Sequence, residues 1–135
     1  RAHALGESGV GARWSGAGGT NAADGYFVRY NNSIIFLEPT TILSPTASSI
    51  TINVAALVAG DGLGIQCIGS NIQAWVRRSG VWTLVGSIND TTYTTGFLCM
   101  SIGGVATQEI DDFVGGTVVA PVETKSFHLA GRGAI

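Results

Sequence analysis

Carboxylates crowd at one place in this chain. Glu109-Ile110-Asp111-Asp112 holds three of its nine Asp and Glu residues in four positions. Successive side chains of a β-strand point to opposite faces, so Glu109 and Asp111 would share a face. Retaining hydrolysis of a glycosidic bond uses two carboxyl groups about 5 Å apart, one nucleophilic and one protonated. The next residues here are Phe113 and Val114. The plainer alternative is that Asp111 or Asp112 bonds backbone amides or closes the fold, while Ile110 and Phe113 fill its core.

Other catalytic patterns are absent from the sequence. His3 and His128 lie near opposite ends, and no nucleophile elbow, P-loop, H-E-x-x-H or Cys/His zinc spacing occurs. Asp61-Gly62-Leu63-Gly64 has too few glycines for a dinucleotide loop and leads into a strand, so it reads as a turn. Cys67 and Cys99 sit inside the apolar segments GIQCIG and GFLCMSIG. Two cysteines make neither a disulfide framework nor a metal-ligand set. They are two buried thiols filling the core, or a bridge between neighbouring strands that implies an oxidising compartment.

A binding function has better raw material. Sugars are recognised by stacking on Trp or Tyr, with amide and carboxylate side chains taking the hydroxyls. Trp14, Trp75, Trp82, Tyr26, Tyr30 and Tyr93 are available, with Asn31, Asn32, Asn71, Gln73 and Asp90 as polar companions. Most such aromatics in a small domain pack the core or an interface. Trp75 leads because alternation over Ile72–Arg77 puts Ile72, Ala74 and Val76 on one face, and Gln73, Trp75 and Arg77 on the other. The candidate ligand-binding set is Trp75, Gln73, Tyr93 and Asn71.

The elements that would position these residues are strands. At 135 residues the chain suits one domain. It is 45% hydrophobic and 12% charged, with 20 glycines, a balance that fits tightly turned β-structure and not disorder. Apolar and β-branched runs recur every eight to twelve residues between Gly, Asn, Asp, Ser and Thr, as in an all-β sandwich or barrel. They predict strands at 9–14, 26–30, 34–38, 49–54, 63–68, 72–77, 82–88, 97–102, 108–114 and 117–119. Only TINVAALVAG fits a turn of helix. So many strands tend to split into two sheets. Hairpins are expected at Asn31-Asn32, at Gly69-Ser70-Asn71 and at Ser79-Gly80, and three consecutive ones make an antiparallel meander.

Charge and hydropathy narrow the partners. The net charge is −2, with one lysine, Lys125, and arginines scattered at 1, 13, 29, 77, 78 and 132. No clustered cations exist to neutralise phosphates, so nucleic acid is not an expected partner. The longest apolar run, VAALVAG, is far short of the ~20 residues of a membrane helix, and no membrane insertion is expected. No signal-peptide pattern opens the chain, and its start at Arg1 suggests processing or a piece of a longer protein.

The segment SGVWTLVGSINDTTYTTGFLCMSIGG, followed by VATQEIDDFVGG and preceded by GYFVRYNNSIIFLE, resembles the C-terminal two-thirds of the concanavalin A-like, or laminin G-like, jelly-roll sandwich. The resemblance spans about 9–116, and Asp-Asp-Phe-Val-Gly-Gly is its most specific piece. It implies an all-β, antiparallel, two-sheet jelly roll over 1–120 and a C-terminal tail over 121–135. Complete domains of this type begin with further strands before the segment equivalent to 9–14, which would lie elsewhere in the protein or come from a neighbouring subunit.

The resemblance also carries functional expectations. Hydrolases of this class bear Glu-x-Asp-x-(x)-Glu on one strand; Glu109 and Asp111 match its first two places, but Phe113 and Val114 stand where the second Glu belongs. The Asp-Asp-Phe segment is moreover a late structural strand in the family, so no enzyme is expected. Similar domains often hold a structural calcium near the C-terminal strand, which points to Asp111 and Asp112 as metal ligands; no other cofactor is implied. The family serves binding far more often than catalysis. The reading is therefore a non-catalytic structural or recognition domain at a virion surface or outside the cell, as a decoration, fibre or adhesion subunit. Its partners would be copies of itself or neighbouring subunits, with surface glycans as the alternative. A partial polysaccharide hydrolase ranks last.

Overall fold

A computed structural model of the chain describes residues 8–15, 24–41, 44–45, 48–102 and 112–117. Within them the chain is all strand and connection, with no helix. The strands are β1 (Ser8–Trp14), β2 (Gly25–Asn31), β3 (Ile34–Thr41), β4 (Ser44–Pro45), β5 (Ile50–Asn53), β6 (Gly62–Ile68), β7 (Asn71–Arg78), β8 (Val81–Asn89) and β9 (Phe97–Ile102). They form two antiparallel sheets. The larger has the order β4-β3-β2-β1-β9, with β5 also paired to β3, and the smaller has the order β6-β7-β8.

Turn chemistry sets the registers. Asn32 and Ser33 both take positive φ, at 42° and 74°, and join Asn31 to its partner Ile34. Two residues of that conformation match the right-handed twist of the flanking strands. The turn thus falls one residue later than the Asn31-Asn32 expected from sequence. Ser79 and Gly80, at 49° and 83°, do the same between Arg78 and Val81, and Gly69 at 57° opens the turn between Ile68 and Asn71. These last two hairpins build the meander of the smaller sheet, whereas the hairpin at 32–33 belongs to the larger one.

Alternation then decides what is buried. Tyr26 and Val28 of β2, Ile35 and Leu37 of β3, Ile72, Ala74 and Val76 of β7, and Ile88 of β8 form one cluster. Both sheets contribute, so the core lies between them, with β6 over β1 and β2, and β8 over β3 and β5. Full burial of each large aliphatic side chain contributes about 1.5–3 kcal/mol. The far face of the larger sheet is also closed to water at its centre, where Phe27, Arg29 and Glu38 are buried. Arg29 Nε donates to Glu38 Oε1, and its guanidinium stands 5.0 Å from the Phe36 ring centre.

Two strand expectations need correction. Asp112, Phe113, Val114 and Thr117 are not strand, and Asp112 has φ 53°, outside the extended conformation of a regular strand. The remainder of 108–114 and of 117–119 lies outside the described residues, as does the tail over 121–135. The window from Val54 to Gly60 is connection and forms no helical turn.

Candidate functional site

The outward face of β6-β7-β8 gathers three of the four expected ligand-binding residues. Asn71, Gln73 and Trp75 alternate with the buried Ile72, Ala74 and Val76, so they point away from the core. Trp75 Nε1 donates to Gln73 Oε1 at 3.2 Å. That bond fixes the indole edge and leaves the Gln73 amide hydrogens free to donate elsewhere. Asn71 Oδ1 is buried and has no hydrogen-bond partner.

Tyr93 stands apart from this group. Its ring meets Tyr26 edge to face at 5.3 Å between centres and packs against the core between the sheets. Its backbone N–H donates to the Tyr26 hydroxyl, and its carbonyl accepts from Arg13 Nη1 at 2.9 Å. Tyr93 therefore fastens a loop and shares no surface with Trp75.

Trp82 joins Trp75 in its place. The β7-β8 register sets Trp82 opposite Arg77 and Leu84 opposite Trp75, and β6 sets Gly62 opposite Arg77 and Gly64 opposite Trp75. A side chain built at Gly64 would begin 2.9 Å from Trp82 Cζ3, and one at Gly62 would begin 3.3 Å from Cη2. Contacts of that kind require the indole to lie down across β7 onto the bare backbone of β6. Trp82 nevertheless keeps 48% of its surface exposed. One side of the ring rests on protein and the other meets solvent. A register bulge between Ala74 and Trp75 helps bring the two tryptophans to the same face.

A second exposed apolar region runs along β9. Phe97, Leu98 and Met100 are exposed, as are Phe113 and Val114 of the segment beside them. Gly115 abuts the Leu98 side chain and leaves no room for a Cβ. Met100 is opposite Val10, whose side chain packs on the core, so Leu98 and Met100 belong to the core side of the larger sheet. Among the described residues the smaller sheet does not extend over them.

The carboxylates are placed less suggestively. Asp112 is exposed, while Glu109 and Asp111 lie outside the described residues. No group of three His, Cys, Asp or Glu residues suited to a metal ion occurs among the described ones. Glu38 is paired with Arg29. Asp61 accepts from Arg78 Nη1 at 2.8 Å and from the Val58 N–H at 3.1 Å, and Arg78 also donates to the carbonyls of Ala55 and Ala56. Asp90 accepts from the Tyr26 hydroxyl and the Thr92 N–H. A cavity of about 230 Å³ lined by Val54, Ala55, Val76, Arg78, Thr83 and Val85 holds no uncommitted charge.

The cysteines occupy different layers. Cys67 packs against the core from β6, whereas Cys99, opposite Gly11, lies on the far face of the larger sheet with its sulfur over that glycine. Both are free thiols. A bridge between neighbouring strands is thereby ruled out for this arrangement. Burial pushes the Cys99 thiol up to about 11 and raises that of Cys67.

Against family models, curated proteins and solved structures, the chain finds no match.

Proposed function

We propose that this chain is a non-catalytic assembly subunit of the concanavalin A-like jelly-roll type, set at a virion surface or in an extracellular structure. The observation that carries this reading is the half-open core side of β9. Leu98 is 42% exposed and Met100 48% exposed, at positions where a sandwich ordinarily buries its side chains. Exposed apolar side chains gathered at a sheet edge favour strand addition by a neighbour, with main-chain bonds giving affinity and side-chain contacts giving fit. Phe113 and Val114, in the segment whose Gly115 abuts Leu98, add exposed apolar surface beside it, while Phe97 adds more on the opposite face of the same edge strand. The polar clusters support a structural role as well, since Glu38, Asp61 and Asp90 each hold a strand or loop in place.

Light scattering on the purified full chain tests this reading. The expected result is an oligomer that Leu98→Asp/Met100→Asp converts to a folded monomer, with removal of 121–135 showing whether the tail contributes. A folded monomer for the unaltered chain at high concentration would end the assembly reading.

A second reading, a glycan-binding module, is favoured by the Trp82 indole with one open side and by the neighbouring Gln73 and Trp75. Titration with oligosaccharides, followed through tryptophan fluorescence and compared with Trp82→Ala, tests it directly.

A further inference from the structure

The outward positions of β6, β7 and β8 carry neutral amide, hydroxyl and apolar side chains with a single exception, Arg77. Arg77 is paired in register with Trp82 and is exposed. Among the described residues no carboxylate shares the face. Its neighbour Arg78, by contrast, is engaged by Asp61 and two carbonyls on the other side of the strand. An exposed cation beside a ring that is covered on one side only is a matched pair of recognition elements. The ring takes the apolar face of a sugar, and the guanidinium takes a carboxylate in a planar, two-bond geometry.

We propose that this face binds an acidic polysaccharide, with a uronic acid ring stacked on Trp82 and its carboxylate held by Arg77. The proposal rests on the glycan-binding reading above and adds the ligand's charge. Gly64 sets the specificity indirectly, because a side chain there would begin too close to the indole and push it off the sheet and away from Arg77. The Gln73 amide, with its oxygen occupied by Trp75, is left to donate to a sugar hydroxyl.

The experiment is a fluorescence titration of the full chain with oligogalacturonate and with a neutral gluco-oligosaccharide of equal length, at low and physiological salt. The acidic oligomer is expected to bind more tightly, and more weakly as salt rises. Trp82→Ala should abolish binding of both. Arg77→Gln should weaken the acidic oligomer about tenfold or more, the loss of one charge-assisted contact, and leave the neutral one unchanged. Gly64→Val, which retains both recognition residues, should also lose binding while circular dichroism stays that of the native fold. Equal affinity for both oligomers with no effect of Arg77→Gln would overturn the proposal and leave the glycan reading standing. Absence of binding to either, with Trp82→Ala instead altering the oligomeric state, would overturn both and make the face a protein contact.

Discussion

The Tyr26 hydroxyl donates to Asp90 Oδ1 at 2.7 Å, joining residues 64 positions apart. Tyr26 is fully buried in β2, and Asp90 begins the connection from β8 to β9. The same hydroxyl accepts from the Tyr93 N–H at 3.2 Å, and the Arg13 guanidinium stands 5.9 Å from the Tyr26 ring centre. The Tyr26 phenol thus fastens the connection that carries the chain from one sheet to the other, alongside the Arg13 bond to the Tyr93 carbonyl.

Removing that phenol oxygen tests its weight. Tyr26→Phe keeps the ring but leaves a backbone N–H and a carboxylate without their partner, at an expected cost of about 1–3 kcal/mol. A lower urea midpoint with an unchanged slope would register it. Burial, reinforced by Asp90, pushes the Tyr26 phenol up to about 12. A raised value means the folded state holds the proton more tightly. That contribution is complete below the ordinary phenol value of about 10 and is lost as pH rises towards 12. One of the three tyrosines should therefore ionise late in an ultraviolet titration, and the late step should vanish in Tyr26→Phe.

Asp90 should make its contribution at the other end of the pH scale. Burial by itself would raise its carboxyl, but hydrogen bonds from Tyr26 and Thr92 outweigh burial and hold it below the usual carboxylate range. A depressed value stabilises the fold above the unfolded carboxyl's pKa of about 3.9, and the benefit disappears as pH falls through the folded value. Asp90→Asn should consequently be less stable than the parent at pH 7 and converge on it in strong acid. A stability gap that stayed constant from pH 7 to pH 2 would show that charge plays no part.

Much of this architecture can be read from the residues. Eight of the strands follow from alternation and turn signals, with Ile72–Arg77 keeping the strictest two-residue period and the others bounded by turn residues. The placement of Trp82 across β7 onto β6 does not follow from its local sequence, since Val-Trp-Thr-Leu-Val shows no clean alternation and the register shifts at Ala74/Trp75. Carrying the Ser79-Gly80 hairpin register across to Arg77 and Gly62 would have revealed it. Trp75 was legible because its own strand is regular. Arg13 was not, because the irregularity between Gly11 and Trp14 turns Arg13 towards Tyr93 and Trp14 towards Phe27, against simple alternation.

The buried pair on the far face of the larger sheet should be costly to break. Arg29 and Glu38 side chains are 5% and 4% exposed, so Glu38→Gln removes the buried carboxylate to which Arg29 Nε donates. The expected loss is about 3–5 kcal/mol, and Arg29→Met combined with Glu38→Gln should recover part of it. Chemical denaturation of the two variants side by side decides the matter. A single variant as stable as the parent would show that the Arg29–Glu38 contact adds nothing net to stability.

Two glycines near β9 should respond very differently to a methyl group. Gly96 has φ 143°, and a Cβ there would run into the Arg13 carbonyl and the Trp14 nitrogen. Backbone cannot swing aside as a side-chain end can, so Gly96→Ala should destabilise by about 1–3 kcal/mol or more. Gly116 has open space around the same position, and Gly116→Ala should leave the thermal midpoint within error.

The thiols give the last prediction. Cys67 faces the core from the smaller sheet and Cys99 lies beyond the larger one, so a whole sheet separates them. Packed sheets stand about 10 Å apart, whereas bridged cysteines need Cα atoms within about 7 Å. Peptide mapping of air-oxidised protein without reductant should find no bond between them. Because thiolate is the reactive species and burial raises both thiols, each should react slowly with Ellman's reagent at pH 8 and quickly once urea opens the fold. A thiol that reacts at once in the native chain would show that its layer of the sandwich opens on its own.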